Sequence, residues 1–454
     1  MSFATCGDRR SDEWIRKTMI GHGLSWLKRF QTHSLVRQVS GMMAMTVLGQ
    51  GLYMLAGPFI GRIYAPEQIG YFGLFVSIWI VLGLFACGLY DMAIPGARSD
   101  EEARRLGGAS VLLGIGIAVA TGAGLSLASA LGWFGLGVFP LWGGALMAAG
   151  MLVQTAVLVA QGWAVRRDEV LIIGRANVLM NGLRSILQVL GGLLSPLWAM
   201  MIAGEALARI AQAYRITKSR IAPGARLIAW DGISGTLKRY RRFPIIFGPA
   251  FALDSSASLL QTAMVGLLFG PAEMGQFFLM RRTLDLPVAF AFRSLSDLFL
   301  ARQIALARDA PERLRPFFLR ASAVLAIAGL AASLPLLIWG PELFHLFYGP
   351  NWGVAGTLAA IMVPAMLLNL VVAPVARVFQ ITEKAHLRLL PGIVNVAGTL
   401  LVLWSAGHYA LSLVETVIGI STAICTQYAV YFFVGYHAAG HVKLDGVLST
   451  RKRG

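Results

Sequence analysis

Tyr64-Ala65-Pro66-Glu67-Gln68-Ile69-Gly70-Tyr71-Phe72 and Phe269-Gly270-Pro271-Ala272-Glu273-Met274-Gly275-Gln276-Phe277 set Pro, Gly and Phe in one register at two distant points of the chain. In each copy the proline stops one apolar stretch and opens the next. Each copy also lies between the first and second of six apolar stretches, and the longest polar interruption, residues 217–243, separates the two sets of six. An even number of crossings per half brings both halves in from the same side. They are then parallel repeats about an axis along the membrane normal, with a substrate site expected between them, as in an alternating-access transporter.

The apolar stretches are 39–60, 69–94, 106–131, 139–165, 170–194, 197–214, 245–269, 274–300, 317–339, 357–381, 387–405 and 410–436. Each is near the ~20 residues that cross a bilayer as a helix. The whole chain of 454 residues is 57% hydrophobic and only 13% charged, with a mean hydropathy of +0.67. That balance belongs to an integral membrane protein and not to a large soluble core. The 51 glycines suit helices packed closely against neighbours. The expected fold is all-α: about twelve transmembrane helices in two six-helix lobes around a central cavity. The expected division is a basic cytoplasmic tail (1–37), an N-terminal lobe (38–217), a basic cytoplasmic linker (218–243), a C-terminal lobe (244–437) and a second basic tail (438–454).

The net charge of +17 takes its meaning from where it sits. With the amino terminus inside, the inner segments hold Arg98, Arg104, Arg105, Arg166, Arg167, Lys218, Arg220, Arg226, Lys238, Arg239, Arg241 and Arg242, then Arg302, Arg308, Arg313, Arg315, Lys384 and Arg388. The outer segments offer only Arg62, at a helix end. This is a positive-inside pattern that makes both termini cytoplasmic, and the basic excess reads as topology and attraction to anionic headgroups. No aromatic-basic stripe or reading motif accompanies it, so nucleic acid is not an expected partner. Cys6, Cys87 and Cys425 are scattered and imply neither a disulfide framework nor a zinc site. Residues 1–37 lack the short apolar core of a cleaved signal peptide.

Arg62-Ile-Tyr-Ala-Pro-Glu-Gln-Ile-Gly-Tyr-Phe72, followed by Tyr90-Asp91-Met-Ala-Ile-Pro-Gly-Ala-Arg98-Ser-Asp-Glu-Glu-Ala103, resembles the start of the polysaccharide biosynthesis (Wzx-like) flippases. Leu286-Pro287, Leu295-Ser-Asp-Leu-Phe-Leu300 and Val378-Phe-Gln-Ile-Thr-Glu-Lys384 resemble their eighth and tenth helices. The likeness covers most of residues 38–437. That family belongs to the multidrug, oligosaccharidyl-lipid and polysaccharide exporter superfamily. The resemblance implies a flippase that moves a polyprenyl-pyrophosphate-linked oligosaccharide across the bacterial inner membrane for O-antigen, capsule or exopolysaccharide synthesis. It further implies a secondary transporter rather than an enzyme, with no cofactor, and membrane lipids and other polysaccharide assembly proteins as its surroundings.

The eighth stretch carries Arg281, Arg282, Asp285, Arg293 and Asp297 among Phe, Leu, Val and Ala. Charge at the centre of a bilayer costs at least about 2.5 kcal/mol per residue, so these groups face protein, water or a ligand. Counted from Ala272 at about 1.5 Å per residue, Arg281 and Arg282 lie roughly 14 to 15 Å deep. All five charges fall within about half of the helix circumference. A pyrophosphate calls for permanently charged donors, and Arg grips phosphate oxygens with two parallel bonds where Lys is a point charge. Arg281 and Arg282 are therefore the first candidates for substrate, with Arg184, Arg377, Arg62 and Arg293 beside them. The structural alternative is that these charges form ion pairs between helices. Glu205 and Arg209, four apart, read as such a pair, and Arg62 reads equally well as snorkelling to the outer interface.

Coupling to H⁺ or Na⁺ requires a buried carboxylate. Asp254 leads, with Asp285, Asp91 and Glu415 behind it; Asp91 also fits a helix cap. Trp79, Phe277, Phe278 and Phe290 stand where sugars could stack, but as packing residues they need no ligand. His437 and His441 are four apart without a third ligand, so no metal is expected. The chain holds no Gly-Lys pair and hence no phosphate-binding loop of an ATPase. The alternatives are a multidrug or cation antiporter of the same superfamily, which suits an acid-rich cavity and not this arginine excess, and a membrane O-antigen polymerase or ligase. The latter needs a sizeable outer loop, and residues 340–356, the longest expected here, contain Glu342, His345 and little else.

Overall fold

The computed structural model of the chain describes residues 33–218, 228–375 and 389–439. Among them no strand occurs, and twelve helices have 18 residues or more. The first six are α1 (His33–Ile63), α2 (Pro66–Gly83), α3 (Asp100–Ala130), α4 (Trp142–Arg166), α5 (Val170–Leu194) and α6 (Trp198–Thr217). A short α7 (Ile233–Tyr240) leads to α8 (Arg242–Phe269), α9 (Pro271–Asp309), α10 (Leu314–Tyr348), α11 (Gly353–Val375), α12 (Leu389–Tyr409) and α13 (Leu413–Ala439). Nine of these are long and apolar enough to cross a membrane. The other three of the twelve include α6 and α9, which carry the charged side chains described below.

Helix starts follow from local chemistry. Pro66 and Pro271 open α2 and α9, each with an acid, Glu67 or Glu273, in the first turn; a proline at that position loses no helical bond, and the acid favours the positive end of the dipole. At the start of α3 the Ser99 hydroxyl accepts from the Glu102 amide at 3.1 Å, and the Glu102 carboxylate accepts from the Arg98 amide at 2.9 Å.

Two expectations shift, and the polar linker proves to be anchored. The second apolar stretch does not stay helical to residue 94: α2 ends at Gly83, Gly88 and Leu89 take left-handed backbone, and Asp91–Gly96 form a 3₁₀ turn around Pro95. Residues 340–348, read as part of an outer loop, continue α10. That helix bends at Trp339 (φ −120°, ψ 29°), where Pro341 removes a backbone donor from the ladder. Finally, the polar linker is fastened to the first half. The Ala229 amide donates to the Arg104 carbonyl at 2.9 Å, and the Arg105 guanidinium binds Asp231 through Nε at 3.1 Å and Nη2 at 2.8 Å.

The halves repeat one packing scheme. In the first, α1 packs on α5, α3 on α4, α4 on α6 and α5 on α6; in the second, α8 packs on α12, α10 on α11, α11 on α13 and α12 on α13. The main contact across the halves joins α2 to α9, the two helices that open with the repeated turn. Its contacts are reciprocal. A Cβ on Gly70 would run into the Pro271 carbonyl, and a Cβ on Gly275 into the Pro66 carbonyl. Only glycine permits that approach. Reciprocity of this kind is what a two-fold axis imposes on a self-complementary surface, and it falls on the residues that match in the sequence repeat.

Candidate functional site

About ten helical residues below the repeated turns, charged side chains from both halves converge. Tyr53 stands ten residues before the end of α1, Arg184 ten before the end of α5, and Arg282 eleven after the start of α9. At 1.5 Å per residue all three lie roughly 15 Å from the same end of the molecule, near the middle of a ~30 Å apolar core. The Arg184 Cζ lies 3.3 Å from the centre of the Tyr53 ring and the Arg282 Cζ lies 3.8 Å from it. Two guanidiniums at those distances cannot share a face, so the ring is held between them, one arginine from each half.

The company kept by each cation differs. Arg184 donates through Nη1 to Glu205 at 3.1 and 3.4 Å and through Nη2 to Asn181 at 2.5 Å. Glu205, only 1% exposed, also takes the Arg209 Nε at 2.9 Å. Arg209 in turn donates to Gln154 at 2.6 Å. A carboxylate bonded by two guanidiniums is fully engaged. Arg281 donates to Gln261 at 2.6 Å, Gln261 donates to Thr399 at 2.9 Å, and the approach of Arg281 to Asp285 is loose at 3.8 Å. Arg282 is different again: both its terminal nitrogens are buried, and among the described residues they have neither a hydrogen-bond partner nor an ion pair. A buried guanidinium in that condition is costly unless an anion completes it.

The sequence candidates thus divide. Arg282 and Arg184 come together on Tyr53, while Arg281 meets Gln261 and Asp285. Arg62 does not join them; it is exposed near the turn end, where Nη2 donates to the Leu346 carbonyl at 2.7 Å in the last turn of α10. There it ties one half to the other. Glu415 is not a buried coupling group either. It is exposed in the first turn of α13, where its carboxylate takes the Ser412 amide at 2.7 Å and hydroxyl at 2.8 Å, a reciprocal cap. Asp91 opens the 3₁₀ turn outside the spans, with Oδ1 buried and unpartnered, and burial pushes its carboxyl up to about 6. Asp254 lies on α8 and Arg293 on α9, but their side chains are outside the described residues, as is Arg377 altogether.

Several participants carried no signal of their own. Tyr53, Gln154, Asn181, Gln261 and Thr399 are single residues in apolar runs, brought in by packing. Three of the aromatic candidates are packing residues: Trp79 and Phe277 are buried, and Phe278 meets the edge of Phe72 at 6.0 Å; the side chain of Phe290 is outside the described residues. No group of three His, Cys, Asp or Glu side chains that could hold a metal occurs among the described residues.

No family model matches the sequence, and no curated protein matches it. Solved structures match its fold. The inward-facing conformation of a multidrug resistance MATE family transporter of the MOP superfamily has a TM-score of 0.70 at 18% identity, covering 87% of this chain and 96% of that one. The lipid II flippase MurJ in an inward closed conformation has 0.64 at 11% identity, covering 89% and 90%. An outward-facing MATE family transporter scores 0.56 at 15% identity, covering 89% and 96%. The chain therefore has the fold seen in these MOP superfamily transporters.

Proposed function

We propose that this protein is a flippase that carries a polyprenyl-pyrophosphate-linked oligosaccharide between the leaflets of the bacterial inner membrane by alternating access of its two halves. One observation carries the reading: among the described residues the terminal nitrogens of Arg282, buried at mid-depth between the halves, have no hydrogen-bond partner. Arg184 stands with it on the Tyr53 ring, so a pyrophosphate arriving there meets permanent donors from both halves. The glycan and the polyprenyl chain then follow the headgroup. The positive-inside charge makes the closed, repeated-turn end periplasmic, which leaves the cleft open to the cytoplasmic leaflet where a lipid-linked precursor loads. A proton or Na⁺ gradient drives the cycle, with Asp254 the first candidate for coupling.

A cation antiporter of the same fold is the competing reading, and it needs an available acid. Glu205 is the deepest acid in the site, and both its oxygens are already taken by Arg184 and Arg209. Asp285, half exposed and only loosely paired, is the acid left for a cation, and it faces an excess of guanidiniums from Arg184, Arg281 and Arg282, a balance that favours an anion. The test is Arg282→Ala in cells that depend on this protein for surface glycan. Loss of surface glycan at unchanged protein level supports the reading; wild-type glycan refutes it. Reconstituted protein supplied with a defined pyrophosphate-linked glycan, and separately with a lipophilic cation, distinguishes flippase from antiporter.

A further inference from the structure

Among the described residues Tyr53 is the one aromatic ring that touches a cation from each half, with Arg184 at 3.3 Å and Arg282 at 3.8 Å from its centre. Its side chain is buried, at 7% exposure. Ring faces are electron-rich and attract guanidinium most strongly where water is excluded. The ring therefore performs two tasks. It lies between two like charges that would otherwise repel, and it joins α1 and α5 of the first half to α9 of the second.

Resting on the flippase reading above, we infer that Tyr53 is a stand-in for the substrate's pyrophosphate: the ring and the anion compete for the same two guanidiniums. The donors say why the exchange runs forward. The ring offers a diffuse attraction to a guanidinium face, whereas phosphate oxygens accept directed, charge-assisted bonds from the terminal nitrogens. Arg282 Nη1 and Nη2 and Arg184 Nε are buried without acceptors while the ring is in place. An anion supplies those acceptors and the ring cannot. When the anion takes Arg282, the ring loses its hold on the second half, so headgroup binding and release of the contact between the halves become one event. Tyr53 is accordingly a positioning residue whose effect passes through the two arginines.

The experiment measures binding of inorganic pyrophosphate to purified wild-type protein, Tyr53→Phe, Tyr53→Leu and Arg282→Ala, with thermal melting to establish that each is folded. Competition predicts roughly tenfold tighter binding by Tyr53→Leu, from the loss of a desolvated cation–π contact. Tyr53→Phe keeps the ring face and should bind as wild type. Wild-type or weaker affinity in folded Tyr53→Leu, with Arg282→Ala losing binding, overturns the stand-in while leaving the flippase reading intact. Absence of pyrophosphate binding by the wild type overturns both. Should Tyr53→Leu fail to fold, Tyr53→Met tests the same competition, because its unbranched side chain fills the space without a ring. As a second readout, spin labels at Arg98→Cys and Arg313→Cys, with native cysteines replaced, report the separation of the halves. Pyrophosphate should change it in wild type and Tyr53→Phe, and Tyr53→Leu should show the changed distance unaided; an unchanged distance in Tyr53→Leu opposes the inference.

Discussion

Arg281 spends its guanidinium on Gln261 and loosely on Asp285, while its neighbour Arg282 stands against the face of Tyr53. Both were legible in the sequence as costly charges at mid-depth, because apolar neighbours on one helix are enough to establish the cost. Which of the two is partnered was not legible, since Gln261 and Tyr53 sit on other helices and look ordinary there. Asp91 illustrates the same limit. Its place near the end of an apolar stretch suggested a cap or a coupling group, and packing supplied what sequence could not, a buried Oδ1 with no partner among the described residues. Burial raises its carboxyl from 3.8 to about 6, with the Cys87 thiol close by. In the unfolded chain the group is charged above about pH 4. Below that value both states are protonated, and between about 4 and 6 only the folded protein holds the proton. This group therefore makes folding more favourable as pH falls from 7 to 5. Asp91→Asn should remove that increment, which would be seen as a flatter melting temperature between pH 7 and 5 than in the wild type. An identical pH profile in the two proteins would count against the buried carboxyl.

At the scale of elements, the beginnings of helices were easier to read than their ends. Pro66 and Pro271 mark where α2 and α9 start because ring closure and the missing amide act locally. The end of α2 at Gly83 and the continuation of α10 past Trp339 depend on what surrounds them, so an apolar stretch overshot in one case and fell short in the other. The repeated turn was legible as Pro, Gly and Phe in register, yet the use of its glycines was not. They are the surface on which α2 and α9 meet. Gly275→Ala should force the Pro66 backbone away and cost about 1 to 3 kcal/mol, the usual range for overpacking. Gly124→Ala in α3 is the counterpart, because nothing lies within 4 Å of a Cβ built there. It should be neutral or stabilise by up to about 1 kcal/mol from helix propensity. Thermal denaturation in the same detergent compares the two; equal effects would mean that the α2–α9 contact is not tight.

For the whole molecule, the division into six and six was visible in the even count of apolar stretches and in the single long polar break. The closure at one end was not, because it is made by pairs that cross the repeat. Arg62 donates to the Leu346 carbonyl at 2.7 Å, Trp352 Nε1 to the Gly61 carbonyl at 2.7 Å, and Gln276 Nε2 to the Asn351 carbonyl at 2.6 Å. The first two join the halves directly, and the third braces α9 against the loop that carries Trp352. They surround the end at which Gly70 and Gly275 touch. A transporter that alternates must break such contacts to open that end, and the Tyr53 clamp below them must let go in the same movement. Bridging Arg62→Cys and Leu346→Cys with a short bismaleimide, in protein lacking its native cysteines, should hold this end closed. Flipping of a pyrophosphate-linked glycan in proteoliposomes should then stop, while each single variant treated with the same reagent continues to transport. Binding of inorganic pyrophosphate should survive the bridge, because the site is approached from the other end. Undiminished flipping by the bridged protein would mean that these halves do not separate at the repeated turns during transport.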